Sequence, residues 1–156
     1  MDKSAMTDAM RASISEVLEQ MFFMPIEFVA PDAARPNPEP DDESIIARLG
    51  FSGAVTGIFI LQVPSALAQS VSADFLGVAR SDLSEADVTG TVLELVNMLA
   101  GGALSTYDSR ALFDLQIPQL INKQDMGVLA GQDADGIMIR IQTPESRIMF
   151  QLITRG

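Results

Sequence analysis

The chain has 156 residues and a formal net charge of −11, and hydrophobic residues make up 47% of it. This length fits one domain with a single core, and the composition is globular rather than disordered. Neither His nor Cys occurs, which excludes a Ser-His-Asp triad, a thiol nucleophile and a His/Cys zinc site. An acidic surface repels phosphate backbones and anionic lipid, so we expect neither nucleic acid nor membrane as a partner.

The sequence also gives expectations about location and domain number. The N-terminus lacks a basic start followed by an apolar stretch, so we expect no signal peptide. No apolar run approaches the roughly 20 residues that span a bilayer. Together with the absence of Cys, these features favour a cytoplasmic protein whose residues 1–156 form a single domain.

The first predicted element is a helix from about Thr7 to Met24, capped near Thr7 or Asp8, because apolar residues recur there at helical spacing. Pro25 is expected to end it. Its last residues, 21–24, combine Met and Phe, which favours a buried helix end or a dimer contact over a patch for another partner. Residues 30–43, which contain four prolines and several acids, predict an exposed irregular loop.

A strand hairpin and a second helix follow. Strands are predicted at Ile45–Phe51 and Ala54–Val63, joined through Ser52-Gly53. The helix is expected to begin at Ser65 and to end at Gly77.

The second half is predicted to begin with a long helix and to finish as strands. Ser84 followed by Asp87 is typical of a capping box that starts a helix from about Glu85 to Tyr107. Residues 108–156 are predicted to be mainly β-strand, with a terminal hairpin of residues 136–143 and 147–154. Asp133 to Gly136 favours a turn over a calcium loop, because the other calcium ligands are missing. The fold class is therefore α/β of the α+β kind, with long helices packed on a mostly antiparallel sheet.

The long helix carries an unusual polar stripe. At 100° per residue, Asp87, Gly90, Asn97 and Gly101 fall within about 60° of Glu94. The opposite side collects apolar residues and is the predicted core face; these are Val88, Val92, Leu95, Val96, Leu99 and Ala103. Glycine is a poor helix former, but it lets another surface approach the backbone closely. We therefore interpret the stripe as a docking face, although a Glu and an Asn three residues apart also occur on ordinary solvated helix faces.

The continuous string Glu-Leu-Val-Asn-Met-Leu-Ala-Gly at positions 94–101 is more specific than the pair alone. It resembles the active-site helix of the CheC/CheX group of chemotaxis phosphatases, and in particular the CheX-like branch with one site. The resemblance implies a phosphatase that hydrolyses the aspartyl-phosphate of a CheY-like response-regulator receiver domain in two-component signalling. The first helix offers Glu16 and Glu19 without the matching Asn, so a single site at Glu94 and Asn97 is expected.

The resemblance also implies roles for the residues of the stripe. Asn97 would place the attacking water while staying neutral beside the phosphoryl group, and Glu94 would pair with the receiver's lysine. Asp87, Gly90 and Gly101 would form the docking surface. The protein would have no cofactor or metal of its own, since the receiver supplies Mg²⁺, and it would form a homodimer through its sheets. A receiver-binding adaptor without activity, or a dimerisation module, would use the same helix face.

Overall fold

A computed structural model describes residues 1–30, 43–130 and 136–154 of the chain. The elements follow in chain order: α1 (Lys3–Ile14), a π-helical segment (Ser15–Met21), β1 (Glu27–Phe28), β2 (Ser44–Gly53), β3 (Gly57–Pro64), α2 (Ser65–Leu76), a 3₁₀ turn (Arg80–Asp82), α3 (Glu85–Tyr107), β4 (Phe113–Leu115), β5 (Gln119–Ile121), α4 (Lys123–Ala130), β6 (Ile137–Gln142) and β7 (Arg147–Thr154). The predicted α+β class with helices on a mostly antiparallel sheet is confirmed.

The seven strands form one sheet in the order β1-β6-β7-β3-β2-β4, and β5 also pairs with β2. Every described pairing is antiparallel. Phe59 of β3 stacks between Phe51 and Phe150, with ring centroids 5.0 and 5.2 Å away. Residues of α1, α2 and α3 join these rings in the main core, so the three helices cover the same face of the sheet.

The opposite face of the sheet has a smaller core. Ile46, Ile58, Ile60 and Ile153 pack there with Leu129 of α4. β3 is therefore buried on both faces along nearly its whole length, which accounts for its continuous apolar sequence.

The first helix begins earlier than predicted. Asp2 is its N-cap, and its side chain accepts a hydrogen bond from the Ala5 amide at 3.1 Å. The prediction of a cap at Thr7 or Asp8 was wrong because an earlier Asp satisfies the first turn. The helical path ends at Met21, before Pro25, and Phe23 adopts a positive φ of 52°.

The end of this helix is only partly buried. Phe22 and Met24 pack against the main core, as a buried helix end requires. Met21 and Phe23, by contrast, are 53% and 84% exposed. Burial of the helix end is thus confirmed for Phe22 and Met24, and the alternative of a dimer contact at this segment stays a prediction.

Two further predictions needed correction. The hairpin of β2 and β3 is present, but residues 54–56 connect it instead of Ser52-Gly53, because β2 extends to Gly53. The last third also contains α4, whose first turn is capped by the Asn122 side chain accepting from the Asp125 amide at 2.8 Å. The terminal hairpin of β6 and β7 is confirmed. Residues 31–42 of the predicted loop and 133–135 of the predicted turn lie outside the described residues.

α3 is long and apolar enough to cross a membrane by length and composition alone, with a mean hydropathy of 1.3 over its most apolar window. No segment of this kind was expected from the sequence. Half of that window is buried inside the fold, because the apolar side of α3 lies on the sheet. Its composition is that of a core helix.

Candidate functional site

The start of α3 is fixed by a complete capping box. The Ser84 side chain accepts from the Asp87 amide, and the Asp87 carboxylate accepts from the Ser84 amide, both at 3.0 Å. Hydrogen bonds with Ser84 lower the pKa of Asp87. The backbone N–H of Ser84 has the larger effect and its side chain the smaller one. Asp87 therefore has a structural role at the helix start, in addition to its position on the polar stripe.

The predicted core face of α3 is confirmed residue by residue. All six of its predicted apolar residues are buried: Val88, Val92, Leu95, Val96, Leu99 and Ala103. The polar stripe faces away from this core, because Gly90 and Glu94 are exposed and Asp87, Asn97 and Gly101 are half-buried. The helix is thus anchored by one side and presents the whole predicted stripe on the other.

The glycines of α3 differ in what surrounds them. Among the described residues, a Cβ added at Gly90 or Gly101 would meet no atom within 4 Å beyond its chain neighbours and the adjacent helix backbone, whereas one at Gly102 would lie 2.5 Å from the Ser13 Oγ. The Ser13 hydroxyl donates to the Leu99 carbonyl at 2.8 Å and is buried. Gly102 is therefore required by the packing of α1 on α3, while nothing within the described fold requires glycine at positions 90 and 101.

Two contacts fix the relative direction of α1 and α3. Near one end, the Asp2 amide donates to the Tyr107 hydroxyl at 3.0 Å. Further along, Ser13 lies against Gly102. The two helices therefore run antiparallel, and this holds the stripe of α3 in a defined orientation on the sheet.

The side chains of Glu94 and Asn97 are available for a partner. Within the described residues, neither forms a hydrogen bond or an ion pair. The only charged residues of α3 are acids, namely Glu85, Asp87 and Glu94. This face thus presents the Glu94 carboxylate, which can pair with a cation, and the neutral Asn97 amide one helical turn away from it.

The neighbouring helix does not reproduce the site. Glu16 and Glu19 lie in the π-helical segment, where the Phe22 amide bonds to the Val17 carbonyl at 3.2 Å. Such i to i+5 bonding widens the turn, so residues three apart no longer lie on one face. The first helix therefore lacks both the Asn and the geometry of a second site.

Among the described residues, Glu94 and Asn97 are not part of the lining of the cleft at the starts of α2 and α3. This cleft has a volume of about 480 Å³, and Arg80, Ser84 and Thr89 are among its lining residues. Arg80 is held there by hydrogen bonds to Gln69 and to the Ala66 carbonyl. In the described ranges, no group of three or more Asp, Glu, His or Cys side chains is arranged to hold a metal ion. An open acid and amide pair suits a site that a second protein completes.

The family described as "Chemotaxis phosphatase CheX" matches residues 45–142. The chain belongs to the CheX family. The matched region runs from β2 to β6 and includes all five residues of the stripe on α3, while α1 lies outside it. No curated protein sequence matches the chain.

Solved structures share the CheX fold over nearly the whole chain. CheX from the CheX-CheY-BeF3-Mg²⁺ complex of Borrelia burgdorferi has a TM-score of 0.75 and 19% identity, covering 96% of this chain and 97% of the other. Vibrio vulnificus CheX has a TM-score of 0.73 and 19% identity, and 99% of each chain is covered. A CheC-like protein from Shewanella sp. PV-4 has a TM-score of 0.74 and 19% identity, covering 97% of this chain and 98% of the other. At this identity the likeness establishes the fold.

Proposed function

We propose that this CheX-family protein hydrolyses the aspartyl-phosphate of a CheY-like receiver domain, with Glu94 and Asn97 at the site. The observation that carries the proposal is the exposed stripe of α3. It places an unpartnered amide and an unpartnered carboxylate between two glycines that the fold itself does not require. The family match and the relative crystallised with CheY, BeF3 and Mg²⁺ support a receiver as the partner.

In the proposed reaction, Asn97 accepts a hydrogen bond from a water molecule and orients it in line with the phosphorus. The water oxygen bonds to phosphorus as the bond to the receiver's aspartyl oxygen breaks. The products are a free receiver carboxylate and inorganic phosphate, which keeps the protons of the water. Mg²⁺ carried by the receiver would neutralise charge on the phosphoryl oxygens. Because the acyl phosphate has a good leaving group, water placement is the contribution required of this chain.

Glu94 has a different proposed role. α3 carries no basic residue, so its exposed face is attractive to a cation, and the receiver's lysine would pair with the Glu94 carboxylate. Such a pair fixes the register and orientation of the two proteins. Asn97 lies one turn further along the same face, so the pairing of Glu94 with the lysine also orients the Asn97 amide.

The decisive experiment measures phosphate loss from a panel of phosphorylated receivers with Mg²⁺, with and without the protein. We expect acceleration by the wild type and a reduction of about 10- to 100-fold in Asn97→Ala, because misplacing the water by about 1 Å costs that much. Glu94→Gln should instead weaken receiver binding by roughly tenfold, since it removes one charged contact.

Matched variants control for the loss of an amide or a charge. Gln20→Ala removes an exposed amide from the neighbouring helix, and Glu85→Gln removes an exposed carboxylate from α3 itself. Both should behave as the wild type. Phosphorylation-dependent binding without acceleration would identify an adaptor, and an absence of binding across all receivers of the host would overturn the proposal.

We also propose that the protein is a homodimer formed through its sheet. Residues 112–120 lie along β4 and β5 at one edge of the sheet and expose several apolar side chains, of which Leu112 and Ile117 are 93% and 82% exposed. Large exposed apolar patches mark interfaces. Light scattering should show a dimer that Leu120→Glu weakens. Leu76→Glu is the control, because Leu76 and Leu120 are both 45% exposed; a monomeric wild type would contradict the proposal.

We further propose that residues 1–156 act as one cytoplasmic domain without a cofactor of their own. The main core joins residues of α1, α2, α3 and most of the strands, which supports one cooperative unit. Thermal unfolding should then give a single transition that a metal chelator does not shift.

A further inference from the structure

An apolar cleft joins the end of the first helix to the end of α2. It has a volume of about 420 Å³ and is lined by Met21, Phe22, Phe23, Asp74 and Phe75. The rings of Phe22 and Phe75 connect the two elements, with their centroids 6.0 Å apart. Four of the five lining residues are apolar, and none of the five belongs to α3. The cleft is therefore built by other elements than the polar stripe.

Much of the apolar surface at this cleft is exposed. Met21 is 53% exposed, Phe23 84% and Phe75 45%, and Leu76 and Val78, which follow directly along the chain, are 45% and 41% exposed. Contiguous apolar patches of this kind mark interaction sites on soluble proteins. A ring as exposed as that of Phe23 does not enclose a small ligand, so the patch suits the apolar face of another protein.

The backbone of Phe23 gives a second, independent indication of a binding role. Its φ of 52° lies in the left-handed region, which bulky residues rarely adopt and glycine adopts without strain. Burial does not account for a phenylalanine here, because the ring is 84% exposed. Strained residues cluster at functional sites. The chain thus places an aromatic ring in solvent at a cost in stability, and a partner that covers the ring accounts for it.

The charge around the cleft indicates the kind of partner. Residues 15–30 and 65–79, which form both sides of the cleft, contain no Lys or Arg and four exposed acids: Glu16, Glu19, Glu27 and Asp74. A second copy of the chain would bring like charges together, because each copy carries a net charge of −11. A segment with Lys or Arg beside its apolar residues is attracted instead.

We propose that this cleft binds a basic amphipathic helix of a partner protein. The apolar residues of that helix, spaced at i, i+3, i+4 and i+7, pack on Phe23 and Phe75. Its flanking Lys or Arg residues pair with Asp74 and the neighbouring acids. This surface is independent of receiver dephosphorylation, because no residue of α3 contributes to it.

The test measures fluorescence anisotropy of a labelled helical peptide of about 15 residues, made of Leu at these helical positions and Lys elsewhere. We expect saturable one-to-one binding. Phe23→Ser and Phe75→Ser should each weaken it by roughly tenfold or more, and Asp74→Asn by roughly threefold. Val128→Ser, which removes a 58% exposed apolar side chain from α4, should bind as the wild type.

Two further peptides separate apolar docking from simple charge attraction. A scrambled peptide of the same Leu and Lys content lacks an apolar face and should bind roughly tenfold more weakly or worse. A peptide with Glu in place of Lys should not bind. Equal affinity for either peptide would overturn the proposal. A dimer that forms at high concentration and is dissolved by Phe23→Ser would identify a second copy as the occupant and would also overturn it.

Phe23→Gly distinguishes a binding role from a structural one. It removes the ring and accommodates the positive φ, so the melting temperature should stay unchanged or rise by up to about 4 °C, while peptide binding is lost. A clear fall in melting temperature would show that the fold itself needs Phe23, against the proposal. The same variant decides the question if Phe75→Ser fails to fold.

Discussion

The glycines of α3 give a prediction in which stability and function move in opposite directions. Gly101 lies in the helix interior, and a methyl group there would meet no atom of the described residues within 4 Å beyond the adjacent backbone of α3. Glycine costs about 0.5–1 kcal/mol relative to alanine at such a position. Gly101→Ala should therefore stabilise the protein by that amount, which raises the melting temperature by about 1–4 °C for a chain of this size.

The same methyl group should impair the proposed reaction. It lies one turn from Asn97 on the docking face, and a displacement of the receiver by about 1 Å is enough to reduce the rate by up to 100-fold. We expect Gly101→Ala to lower the dephosphorylation rate by roughly tenfold or more while it unfolds at a higher temperature. The assay measures phosphate loss and thermal unfolding on the same preparation.

Two other glycines serve as controls. Gly127 in α4 also has open space around its Cβ position, so Gly127→Ala should stabilise the fold slightly and leave the rate unchanged. Gly102→Ala should destabilise it, because the methyl would lie 2.5 Å from the Ser13 hydroxyl. If Gly101→Ala is more stable and fully active, no partner approaches this face closely, and the docking interpretation of the stripe is wrong.

Further predictions concern the cap and the core. Ser84→Ala should cost about 0.5–2 kcal/mol of unfolding free energy by chemical denaturation. The lowered pKa of Asp87 stabilises the fold at neutral pH, and this contribution is lost as the pH falls through the folded-state value. Asp87→Asn should therefore flatten the pH dependence of stability in acid, and an unchanged profile would contradict this. Phe59→Ala should cost about 3–5 kcal/mol, because Phe59 is fully buried between two rings; a loss below about 1 kcal/mol would refute the argument.

Local signals predicted α3 and its stripe well. The capping box, the apolar face and the acid and amide pair all depend on residues three or four positions apart, which the helix geometry relates directly. The first helix was predicted less well. Asp2 caps it several residues before the predicted caps, and the π-helical segment has no comparable local signature. α4 was missed because it is only eight residues long and contains Gly127.

The sequence alone determined the boundaries of α3, its buried side, its exposed polar stripe and the family resemblance, because these depend on short-range spacing along the chain. Only the tertiary structure showed that Gly102 is needed for helix packing while Gly90 and Gly101 are not, since that distinction depends on Ser13, far away in the sequence. Tertiary structure also decided the strand order. Long-range contacts of this kind arise from how helices and strands pack, which residue spacing does not encode.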